Sequence, residues 1–125
     1  MENQQDNIQL AGKLIKYGFD EEQVPGIIEI LENISNGTSI PIDDFIYLYG
    51  TMKVQNVIFI QDIRQLQGRG IPILMELSKQ FNVSQHCVRT YIDERIIMFK
   101  HIELAFKSLT DESGIFYDLI SKRRF

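Results

Sequence analysis

The chain has 125 residues, 44% hydrophobic and 24% charged, with a formal net charge of −4. That is enough chain to bury a core without a metal or disulfide, and its single cysteine, Cys87, excludes an internal disulfide. No apolar run approaches the roughly 20 residues that span a bilayer, and the opening MENQQDN lacks the basic and apolar blocks of a signal peptide, so a soluble, cytoplasmic protein with no membrane contact is expected.

The charge is unevenly distributed. Residues 1–66 hold four basic and ten acidic residues, net −6, whereas residues 67–125 hold nine basic and seven acidic, net +2. Only the second part suits a polyanion, and the acidic first part suits dimerisation or a protein partner.

From Asn7 to Tyr17, Ile8, Leu10, Ala11, Leu14 and Ile15 recur at helical spacing, and Gly18 supplies a stop. DEEQ at 20–23 has the form of a capping box, with Asp20 accepting and Gln23 reaching back, ahead of a helix starting near Val24 or Pro25. Ile27, Ile28, Ile30, Leu31 and Ile34 continue that helix until SNGTS at 35–39, where Asn36-Gly37 tolerates positive φ. Pro41 then opens a helix with Asp43 and Asp44 in its first turn and Phe45, Ile46, Leu48 and Tyr49 facing inward. KVQNVIFIQDIRQLQ suits a helix or, at VIFI, a short strand, and the helix is favoured. QGRG at 67–70 coincides with the change in charge, which places a junction between residues 1–66 and 67–125. Pro72 can open a helix through Gln80, and LTDES offers Thr110 or Asp111 as the cap of a last element carrying Ile115, Phe116, Leu119 and Ile120.

The stretch MELSKQFNVSQHCVRTYIDE, 75–94, resembles the helix-turn-helix unit of bacterial-type DNA-binding regulators. Leu77, Phe81, Val83, Val88 and Tyr91 fill the apolar positions that hold such helices together, and Val83-Ser84 matches the turn exit, with Ser84 capping the second helix. Three positions depart from the pattern: Ser78 stands where alanine is usual, Asn82 where glycine is usual, and Cys87 where threonine is common. Each replacement is small or, for Asn82, tolerant of a left-handed turn. The resemblance covers about 20 residues and implies an all-α, multi-helix protein that contacts double-stranded DNA. Gln85, His86, Arg89 and Thr90 then face base edges, while Lys79, Ser84 and, in the glycine loop, Arg69 face phosphate. Asp93, on or near the same face, opposes phosphate contact.

From Ser84 to Leu109 there is no Gly or Pro, and Val88, Ile92, Arg95, Phe99, Ile102, Phe106 and Leu109 are spaced 4, 3, 4, 3, 4, 3. One reading is a long helix of roughly 40 Å running from the recognition helix into a homodimer seam made by Ile92, Phe99, Ile102, Phe106 and Leu109. The other is a core helix packed on residues 7–66 and broken near Asp93-Glu94.

No active site, cofactor or metal site assembles from the rest. His86 and Cys87 diverge on a helix and His101 lies about four turns away. QGRG lacks the ending of a phosphate-binding loop, and the terminal SKRRF suits the negative end of a last helix or an acidic or phosphate partner. The sequence therefore implies a sequence-specific DNA-binding protein that is not an enzyme. The alternative is a non-catalytic protein-interaction module, or an inhibitor, whose helix pair docks on another protein.

Overall fold

A computed structural model of the chain describes residues 4–119, and these form seven α-helices and no strand. They are α1 (Gln4–Lys16), α2 (Val24–Thr38), α3 (Ile42–Gln55), α4 (Ile60–Gly68), α5 (Ile73–Phe81), α6 (Gln85–Asp93) and α7 (Phe99–Thr110). The protein is all-helical, and no helix among the described residues is long and apolar enough to cross a membrane.

Prolines mark three of the starts. Pro25 lies in the first turn of α2, and Pro41 and Pro72 stand immediately before α3 and α5, where a missing N–H costs nothing. The capping box expected at residues 20–23 is not formed. Those residues make a turn in which the Gln23 N–H donates to the Asp20 carbonyl, and no side chain caps α2. Helix α2 also runs through Asn36-Gly37, and Ser39 takes the left-handed conformation instead, at φ 61°. Gly37 has a packing role: a Cβ there would lie 2.3 Å from the Phe116 ring, so the chain after α7 closes over α2 at this point. Residues 111–118 form turns rather than the helix expected for them, with Phe116 buried. Ile120 and SKRRF lie outside the described residues.

Helices α1, α2, α3 and α7 form one packed group, with α7 lying against α2. An aromatic cluster unites its parts. Tyr49 of α3 stacks on Phe19 (5.6 Å between centroids) and on Phe106 (5.1 Å), and meets Phe99 edge-on at 4.9 Å. Burial, then the Glu103 carboxylate, raises the Tyr49 phenol well above its ordinary pKa, so the cluster stays uncharged.

Helices α4, α5 and α6 are inserted between α3 and α7. The chain leaves and re-enters through a neck in which Val57 and Met98 form an isolated antiparallel bridge. The Ile58 N–H donates to the Ile97 carbonyl at 3.0 Å and the Phe99 N–H to the Asn56 carbonyl at 2.7 Å. The helix favoured for KVQNVIFIQDIRQLQ is thus interrupted by Asn56 at φ 65° and this neck. The 66/67 junction falls inside α4, which packs on α5 and α6.

The long helix after the motif does not exist. Helix α6 stops at Asp93, and five residues separate it from α7, which begins at Phe99. The stop is a paired hydrogen bond: the Ile96 N–H reaches the Tyr91 carbonyl at 2.9 Å and the Arg95 N–H the Ile92 carbonyl at 3.1 Å, with Arg95 left-handed at φ 63°. The homodimer seam fails with it. Ile92, Phe99, Ile102, Phe106 and Leu109 are each 6% exposed or less and belong to the core of a single chain. Ile92 lies on α6, and the other four lie on α7, which packs on α2 and α5.

Candidate nucleic-acid interface

Helix α5 is joined to α6 by Asn82, Val83 and Ser84. Asn82 takes the left-handed conformation (φ 55°, ψ 48°), which asparagine tolerates better than most residues. The Val83 N–H then reaches the Ser78 carbonyl at 3.1 Å, and the Ser78 hydroxyl donates to the Val83 carbonyl. Ser78 therefore does more than fit where alanine is usual, since it ties the turn to α5. The Ser84 hydroxyl oxygen accepts from the Cys87 N–H at 3.1 Å and caps α6.

The two helices meet through Leu77 and Val88, both fully buried, and through Ile92. The Phe81 ring stacks edge-on against Tyr91 at 5.5 Å and lies 4.9 Å from His101 on α7, so one aromatic side chain braces three helices. His101 also receives the Met98 N–H on Nδ1 at 2.9 Å, capping α7. That bond requires an unprotonated Nδ1, and burial, then the Lys100 ammonium, holds the His101 pKa below its ordinary value.

With the inner side of α6 so occupied, Gln85, His86, Arg89 and Thr90 are left exposed on it. Gln85, His86 and Arg89 make no side-chain hydrogen bond or ion pair among the described residues, and the Thr90 hydroxyl reaches only the His86 carbonyl at 3.4 Å. Asp93 is exposed at the end of the same helix. Lys79 on α5 is 68% exposed and 3.3 Å from the Glu76 carboxylate, itself 9% exposed.

Arg69 is not available for phosphate. Its guanidinium is held by Asp44 of α3, with Nε 2.5 Å from the carboxylate, and Nη1 donates to the Gln65 carbonyl at 2.9 Å. This half-buried pair ties α4 to α3 across 25 residues of sequence, a distance no local pattern announces.

Two features went unanticipated. Arg95 lies just past α6, exposed, with its guanidinium 4.9 Å from the Phe59 ring centroid. Between α3 and α4 a groove of about 250 Å³ is lined by Tyr47, Thr51, Gln55, Phe59, Gln61 and Gln65 among others. Among the described residues no group of three or more His, Cys, Asp or Glu is placed to hold a metal ion. Comparison of the chain with protein-family models, curated proteins and solved structures returned no match.

Proposed function

We propose that α5 and α6 form a helix-turn-helix and that the protein binds double-stranded DNA sequence-specifically, with α6 in the major groove. One observation carries this reading: α6 presents Gln85, His86 and Arg89 without partners among the described residues on its outer side, while its other side and its N-terminus are fixed by packing and by the Ser84 cap. A rigid helix with free donors at its start suits base edges, which reward fixed geometry. Arg89 pairs with a guanine edge and Gln85 with an adenine edge, while His86 and Thr90 make looser contacts. Lys79 and the Ser84 end of α6 meet phosphate.

The chain's net charge of −4 is compatible with this because the acidic excess lies in residues 1–66. Residues 67–125 carry a net charge of only +2, so base contacts are expected to carry more of the affinity than in a strongly basic reader, with a correspondingly shallow salt dependence. The candidate seam is buried within a single chain, so it does not pair two copies on DNA.

Selection from a random duplex pool at moderate salt tests this, with wild type and Arg89→Ala in parallel. The expected result is a motif enriched by wild type and lost with Arg89→Ala. Absence of any enriched motif with wild type overturns it.

A second reading, docking on another protein, is favoured by the exposed Tyr47 and Val54 on α3, 61% and 68% accessible. It predicts that Tyr47→Ala, rather than Arg89→Ala, removes activity.

A further inference from the structure

Four left-handed residues end helices in the same way in this chain. Gly18 after α1, Gly70 after α4, Asn82 after α5 and Arg95 after α6 all lie at positive φ, each followed by a residue whose N–H returns to a carbonyl five positions back. Glycine and asparagine are the residues this conformation favours, and arginine carries a steric penalty there. Arg95 is therefore a poor local choice for its backbone. Its side chain also lacks an ion pair among the described residues, although Asp93 and Glu94 immediately precede it.

Its position is informative. Helix α6 has nine residues and is about 13 Å long, close to the roughly 12 Å width of the major groove. A residue just beyond its end therefore stands at the groove wall, where the phosphates run. The left-handed turn directs the chain off the α6 axis, and the Phe59 ring underneath holds the guanidinium extended and exposed. The neck keeps this loop in place, because Ile97 and Phe99 are bonded to Ile58 and Asn56.

We infer that Arg95 is a second DNA contact, gripping backbone phosphate beside the site read by α6 with Phe59 as its platform. This rests on the DNA-reading proposal above. Arg95 contributes affinity without sequence preference, and it offsets the Asp93 and Glu94 carboxylates at that end of the helix.

The test uses Arg95→Gly and Arg95→Asn, which remove the charge with residues that suit positive φ. Binding to the duplex selected by wild type, and to a scrambled duplex, is measured over a salt series, alongside thermal unfolding. Both variants should unfold at the wild-type midpoint and bind both duplexes on the order of tenfold more weakly, with a salt slope shallower by about 1. Wild-type affinity and slope in both variants would overturn the inference and leave the reading by α6 intact. A fall in the unfolding midpoint large enough to account for the weaker binding would also overturn it, making Arg95 structural. If wild type selects no duplex at all, the DNA reading itself fails and this inference falls with it.

Discussion

The ends of α5 and α6 are built alike and differ in where the chain goes next. Each closes with a left-handed residue and a hydrogen bond returning five positions, from Val83 to Ser78 and from Ile96 to Tyr91. After α5 the chain turns through Asn82, a residue suited to the conformation, and enters α6 at once. After α6 it turns through Arg95, a residue that is not, and enters the neck. The first turn explains itself by local chemistry. The second is stabilised by its surroundings: the Phe59 ring under Arg95, the hydrogen bonds of the neck and the burial of Ile97. One backbone shape can therefore be specified by a residue's own preference or imposed by tertiary contacts.

The contrast can be broken most forcefully downstream of the second turn. Phe106→Ala should cost about 3–5 kcal/mol, because the ring is 1% exposed and stacked on Tyr49. Denaturant unfolding at two protein concentrations should give the same midpoint for wild type, whereas a dimer seam would make it concentration-dependent.

His101→Ala should cost about 1–2 kcal/mol at neutral pH, since it strips the Met98 N–H of its acceptor and removes a support of Phe81. The imidazole pKa is lower folded than unfolded, so its stabilisation is complete above the ordinary value of 6.5 and is lost as pH falls from there through the folded value. Wild-type stability should decline over that window, and urea midpoints for His101→Ala should decline less.

At the first turn, Asn82→Ala should cost about 1 kcal/mol through its positive φ, while Asn82→Gly should remain within a few tenths. Thermal midpoints of the two variants check this ordering. Smallest of all, if α6 reads DNA as proposed, Asp93→Asn should tighten binding about two- to threefold by relieving repulsion at the end of α6, as measured by titration of the selected duplex.

The first turn was legible in the sequence because its determinants are neighbours: Asn82, Val83-Ser84, and Leu77 and Val88 at helical spacing. The starts of α2, α3 and α5 were legible through Pro25, Pro41 and Pro72 for the same reason. The end of α6 was legible only in part: a break near Asp93-Glu94 was one of two readings, but nothing in the run from 84 to 109 marks Arg95 as left-handed. The regular spacing of Ile92, Phe99, Ile102, Phe106 and Leu109 misled because a three-four repeat fits burial within one chain as well as between two. Arg69 misled in another way. Its glycine neighbours suggested an open loop, while its partner Asp44 is distant in sequence. Of the outer residues of α6, periodicity identified which are exposed, and the lack of side-chain partners for Gln85, His86 and Arg89 among the described residues emerged only from the packed structure.

The neck has a consequence for how the chain can change. Entry and exit of residues 58–97 lie side by side, so this stretch behaves topologically as one insertion in a host bundle of α1, α2, α3 and α7. Such a joint is a natural graft point. Another helix trio with the same spacing between its ends, and an equivalent apolar side toward α7, can be exchanged there without rerouting the host.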